Sequence, residues 1–166
     1  MHTEGTILKL ISGGERLILD ACDGKRTIVT AKKFFATGLL DPNFRKWGTN
    51  KTSKPTPETD VLVYEMERNA TFAQIFSSLG DDINQLCFTQ HQIINFIEKH
   101  SSWLRIKGDG IFFLFKVGDD FFIADVYLGG RGGLYLYGYL HHFEDDMVRI
   151  AYVWDVIDRR RVVVPL

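Results

Sequence analysis

From Thr89 to Leu104 the chain reads TQHQIINFIEKHSSWL, and its apolar positions recur at the period of a helix. At about 100° per residue, Gln90, Ile93, Ile94, Ile97 and Leu104 gather on one face, with His91, Asn95, Glu98 and Ser102 opposite. Thr89 and Gln92 have the spacing of a capping box, in which hydroxyl and amide each satisfy an orphan backbone donor. The pattern predicts one amphipathic helix over about 89–104. His100 falls near the middle of its apolar face. The plain reading of His100 is a half-buried imidazole bonded to a backbone carbonyl; the sharper one is a ligand-facing or titrating group.

From Ile111 the period changes to two. Ile111 to Val117 and Phe121 to Leu128 flank Gly118-Asp119, a two-residue connection with glycine first, as a type II′ hairpin prefers. That register pairs Lys116 with Phe121, Leu114 with Ile123 and Phe112 with Asp125 on one face. The other face, Ile111, Phe113, Phe115, Val117, Phe122, Ala124, Val126 and Leu128, is wholly apolar and must be core. Leu134 to His142 follows the GGRGG loop, with Tyr135, Tyr137, Tyr139 and His141 on one side. Arg149 to Val156 and Arg161 to Val164 complete an antiparallel meander of about five strands. The tyrosines fit either the polar-tipped outer layer of a half-exposed sheet or a stacking platform for a ring-bearing ligand.

The preceding half has shorter periods. Thr6–Ile11 and Arg16–Asp20 are β-rich runs around Ser12-Gly13-Gly14, consistent with a hairpin. Thr27 is placed to cap a helix to about Ala36, with Ile28, Ala31, Phe34 and Phe35 inward. Asp41-Pro42 starts a short helix through Trp47. Residues 48–60 form a polar loop carrying Pro55 and Pro57. Arg45, Lys46, Lys51 and Lys54 around Trp47 would let this loop touch a phosphate backbone; a solvated connector is the plainer reading. Val61–Met66 reads as a strand, and Thr71 with Gln74 repeats the capping box before Phe72, Ile75, Phe76 and Leu79. The expected class is α+β, as a single domain over 1–166: strands and short helices to residue 88, then helix and antiparallel sheet.

Composition changes this picture little. In 166 residues, 45% apolar and 25% charged, the chain can bury a core and is not disordered. With 20 Lys plus Arg against 21 Asp plus Glu, it lacks the field of a dedicated duplex binder, so nucleic acid is unsupported rather than excluded. No apolar run approaches the roughly eighteen residues of a membrane span. The first residues show no signal-peptide pattern, and Asp20 argues against a lipoprotein reading of Leu19-Asp20-Ala21-Cys22. A cytoplasmic protein is expected. Cys22 and Cys87 lack partners at metal spacing and read as free thiols.

The segments DGKRTI, TFAQIFSSLG, LCFTQHQIINFIEKHSSWLR, FFLFKV, FFIADVY and RRRVVVPL together resemble a family of small uncharacterised bacterial proteins. The resemblance spans nearly the whole chain. It implies a bacterial, cytosolic protein and transfers no catalytic residue.

The glycine pairs match no phosphate-binding motif and read as turns. His141, His142, Asp145 and Asp146 could in principle hold zinc or manganese, but adjacent strand histidines point to opposite faces, and neither a metal nor a cofactor is expected. No catalytic residue is assigned. A helix followed by an antiparallel sheet also resembles the architecture of RelE and barnase-like ribonucleases, for which His100, His141, Arg105, Lys107, Arg131 and Arg159–Arg161 would be the available groups. The bland reading of the arginine run is a charged turn. The preferred reading is a non-catalytic binding or interaction module working through its aromatic sheet face, with a protein partner, a homodimer or a small molecule on it. Its ligand-facing residues would be His100, Arg105, Asp125, Tyr135, Tyr137, Tyr139 and His141, in a pocket between the 89–104 helix and the sheet.

Overall fold

The computed structural model describes residues 5–35, 39–104, 110–130, 133–141 and 152–166. Its frame is a mixed sheet of eight strands: β1 (Leu8–Leu10), β2 (Leu17–Leu19), β3 (Leu39–Leu40), β4 (Thr59–Met66), β5 (Ile111–Val117), β6 (Asp120–Leu128), β7 (Leu134–His141) and β8 (Arg161–Pro165). Three α-helices accompany it: α1 (Asn43–Lys46), α2 (Phe72–Ser77) and α3 (Gln90–Lys99). The α+β class stands, but the meander does not. The order is β1-β4-β8-β5-β6-β7-β3, with β2 also on β4. β8 inserts parallel to β5 and antiparallel to β4, and β3 runs parallel to β7. Strands from both halves of the chain thus share one sheet.

Two further expectations change. Leu8–Leu10 and Leu17–Leu19 are not a hairpin: both pair antiparallel with β4, at Tyr64–Met66 and Thr59–Val61. Between them the buried Ser12 takes a ladder position, its Oγ accepting from Val63 N at 2.9 Å. The expected strand Arg149–Val156 is absent where it is described: Trp154 makes a single bridge to Ala70, and Val156–Asp158 is a 3-10 turn. Residues 149–151 lie outside the described residues.

Capping chemistry sets the helices. Both boxes form, Thr71 with Gln74 and Thr89 with Gln92. Asp41 Oδ1 accepts from Asn43 N at 2.9 Å to start α1, while Oδ2 takes Gly138 N of β7 at 3.1 Å. α3 ends at Lys99 rather than Leu104; a 3-10 turn over Ser101–Trp103 continues it and still buries Leu104. The helix expected after Thr27 is reduced to turns and a 3-10 segment, Lys32–Phe35.

The β5–β6 register is as expected, Phe112↔Asp125 through Lys116↔Phe121, with Gly118 at φ +61° in the turn. Alternation then sorts two cores onto opposite sheet faces. On one face, Phe113, Phe115, Phe122, Ala124, Val126 and Val163 pack with Ile93, Phe96 and Ile97 of α3 and with Phe44. On the other, Phe112, Leu114, Ile123 and Val162 are covered by Ile75 and Phe76 of α2 and by Trp154. Each buried Phe or Leu contributes about 2 kcal/mol of apolar transfer. Gly138 lets the first layer close, since a Cβ there would stand 2.8 Å from the Phe44 ring and 2.9 Å from that of Trp47.

Candidate functional site

The β6–β7 register settles which face the tyrosines share. Asp125 lies opposite Tyr137, Ile123 opposite Tyr139 and Tyr127 opposite Tyr135, so these residues stand on the face carrying Phe112 and Leu114. α2 and the Trp154 segment cover one part of that face and stop at Tyr139, whose ring lies 5.6 Å from Phe72 and 5.5 Å from Trp154. Beyond it Tyr127, Tyr135 and Tyr137 are half-buried.

Those three rings form one row. Tyr127 stacks between Tyr135, at 5.1 Å and 11°, and Tyr137, at 5.9 Å and 15°. Gly129 permits the row to settle at its end, since a Cβ there would stand 2.3 Å from the Tyr135 ring. Ring faces spent on one another are closed to a ligand, so the row presents edges and hydroxyls. Burial, together with a hydrogen bond to Tyr137, pushes the Tyr127 phenol up from its ordinary value.

Beside the row, toward Phe112 and Trp154, sits a buried ion pair. Asp125, 2% exposed, accepts from Arg160 Nη1 at 2.7 Å. The Arg160 guanidinium lies 4.4 Å from the Trp154 ring centre and 5.2 Å from that of Phe112, a cation set against a pair of aromatic rings. Gly110 closes the other side: a Cβ there would fall 1.6 Å from Asp125 Oδ1, so only glycine fits against the carboxylate. Among the described residues, Asp125 Oδ1, Trp154 Nε1 and Arg160 Nε are buried without a hydrogen-bond partner. Burial pushes the Asp125 carboxyl up to about 6, against the pull of Arg160. Burial, seconded by the Asp125 charge, moves Tyr139 up to about 12. A carboxyl poised near neutrality inside an aromatic wall is the sort of perturbed group that marks functional sites.

Of the residues expected to face a ligand, the structure brings together Asp125, Tyr135, Tyr137 and Tyr139. His100 is elsewhere. It caps the end of α3 against the opposite sheet face, its Nε2–H donating to Ile18 O at 2.9 Å and its ring 5.3 Å from Phe96. The expected pocket joining His100 to Asp125 is therefore divided by the sheet itself. His141 closes β7 and pairs through its backbone with Phe121. Arg105, Lys107, Arg131, His142, Asp145 and Asp146 lie outside the described residues. Among the described residues no group of three or more potential metal ligands occurs. Trp47, the aromatic at the root of the basic loop, packs 5.5 Å from Phe122.

Sequence reasoning named Arg160 only as part of the arginine run and did not join it, Trp154 or Gly110 to Asp125. One signal was present: Asp125 sits in the apolar run FFIADVY, and a carboxylate buried there needs a cation. Arg160 shares strand parity with Val162 and Val164 of the same face, but only the parallel β5–β8 pairing brings it to Asp125. Arg161, one residue on, donates to Trp103 O at 2.8 Å instead. The supposed charged turn is two anchored arginines.

Burial of Cys22 and Cys87 raises both thiols, that of Cys87 to about 12, which keeps them protonated and unreactive at neutral pH. Among the described residues no helix is long and apolar enough to cross a membrane. Comparison with known proteins finds no matching family model, no similar curated protein and no similar solved structure.

Proposed function

We propose that the chain is a non-catalytic interaction module that contacts a protein partner, or a second copy of itself, through the row Tyr127–Tyr135–Tyr137. The observation that carries this reading is the arrangement of the rings. Three parallel tyrosines on a rigid sheet offer amphipathic edges with little side-chain entropy left to lose, the property that enriches tyrosine at protein contacts. The backbone ladder of β6 with β7 fixes the strand pair from which the row projects, and the Asp125–Arg160 pair ties β6 to the start of β8 beside it. A flat ring-bearing ligand is a poorer fit, because the tyrosine faces are already stacked on one another. In the same reading the chain is a cytosolic bacterial protein, on the strength of its motif resemblance.

Among the described residues the ribonuclease alternative draws no support from the geometry. His100 is bonded to Ile18 O on the far side of the sheet, and the Arg160 and Arg161 side chains are engaged within the fold. Light scattering over a concentration series, with affinity capture from a bacterial lysate, tests the proposal on the wild type, Tyr135→Ala and Tyr135→Phe. A dimer or captured partner lost in Tyr135→Ala and retained in Tyr135→Phe, with unchanged melting, is the expected result. A strict monomer whose captured proteins are the same in all three variants would contradict it.

A further inference from the structure

A second feature lies away from the tyrosine row, where the loop after α1 meets the start of α3. There an open groove of about 440 Å³ is lined by Lys51, Ser53, Lys54, Cys87, Lys116 and Val117 among others. Its size falls in the roughly 300–1,000 Å³ range of small-molecule sites.

The loop that forms one wall is not the solvated connector its composition suggests. Gln90, 5% exposed, reaches out of α3 and donates Nε2 to the carbonyls of Thr49 and Lys51, while its Oε1 accepts from Ile28 N at 2.9 Å. Ser53 N donates to Gly24 O at 2.9 Å, and Cys22 and Thr56 exchange two backbone bonds at 3.0 and 2.8 Å. Lys51 and Lys54 therefore project from a backbone that is already ordered, which lowers the entropic cost of placing them on a ligand.

Among the described residues the charged side chains that line the groove are lysines, and Lys51 and Lys54 are exposed. The Lys116 ammonium, donating to Asn84 Oδ1 at 3.1 Å, is close enough to act on the Cys87 thiol. The Asp82 carboxylate acts on Cys87 in the opposite sense and, accepting only from the neutral Asn84 N and Nδ2, keeps its charge, so the attraction for an anion rests on Lys51 and Lys54. The α3 terminus is not the source of attraction, because the Thr89–Gln92 box already takes two of its donors. In a chain of net charge −1, this is a local concentration of cations beside an apolar floor of Cys87 and Val117.

We propose that this groove binds a small phosphorylated molecule, with the ammonium groups of Lys51 and Lys54 on its phosphate and its apolar part on Cys87 and Val117. Ammonium groups serve phosphate as point charges, and the attraction weakens with salt. Titration of the full 15N-labelled chain with AMP, adenosine, inorganic phosphate and a short RNA tests this. AMP is expected to move the amides of Thr52–Lys54 and Gly118 and adenosine to leave them unmoved. Lys51→Glu combined with Lys54→Glu, both exposed, is expected to keep the melting temperature and weaken AMP by about tenfold or more. No response to AMP or phosphate up to about 10 mM, or undiminished binding in the double variant, would overturn the proposal. RNA binding far tighter than AMP at the same amides would overturn the small-molecule assignment.

Discussion

The two faces of the sheet handle buried polarity in opposite ways. On the α3 face the fully buried polar side chains are neutral and bonded: Ser12 to Val63 N, Gln92 to Thr89 N and Thr59 Oγ1, Thr27 to Thr30 and Asn50, Gln90 to three backbone groups; the Arg161–Glu65 ion pair on that face is half-buried at both ends. On the tyrosine face the polar core is one ion pair, and Asp125 Oδ1, Arg160 Nε and Trp154 Nε1 lack partners among the described residues. A satisfied neutral network specifies and rigidifies a fold. A buried charge pair adds little net stability over an apolar replacement, yet losing one member is costly. The first face thus reads as scaffold. The second carries a feature that stability alone does not account for, beside its half-buried tyrosines.

Breaking the ion pair gives the largest expected effect. Arg160→Ala leaves Asp125 buried without a cation and is expected to cost about 3–5 kcal/mol in denaturant unfolding. Replacing both members, Asp125→Leu with Arg160→Met, should restore most of that loss. If the double variant is no more stable than Arg160→Ala, the pair is not the source of the cost.

Next comes pH. The folded Asp125 carboxyl, at about 6, lies above its ordinary 3.8, so folding favours the neutral form. The associated stabilisation is fully present below about pH 4 and lost as pH rises through about 6, a change of roughly 3 kcal/mol. Denaturant midpoints of the wild type and Asp125→Asn, followed from pH 4 to pH 7, should diverge in that direction. Parallel curves would show that Asp125 titrates as an ordinary carboxylate.

On the scaffold face, Gln90→Leu should cost about 1–3 kcal/mol by orphaning Ile28 N and the Thr49 carbonyl. Amide exchange at Lys51–Thr56 should quicken with it, while the β6–β7 amides keep their protection. The smallest effect is expected for Tyr127→Phe, which keeps the stack and removes only a half-buried hydroxyl, about 1 kcal/mol or less.

What could be read from sequence follows the reach of the interactions. Thr71–Gln74, Thr89–Gln92 and the Gly118-Asp119 hairpin are local, and each forms as its residue types require. The insertion of β8 between β4 and β5 is set by contacts distant in sequence, and alternation within RRRVVVPL cannot name its neighbours. Ser12 explains the failed hairpin: one hydroxyl in the ladder lets β1 and β2 follow each other along β4. At the site, tyrosine alternation was visible, and the register of β6 with β7 was needed to set it beside Asp125. His100 on an apolar helical face could be foreseen; that its face lies across the sheet from Asp125 could not.

The central claim is that the tyrosine row is a contact surface. A photo-crosslinking amino acid at position 135, compared with one at the exposed Glu15, tests it most directly. A discrete adduct, a homodimer or one partner, is expected from position 135 and none from position 15. No adduct at 135, or the same adducts from both positions, would contradict it.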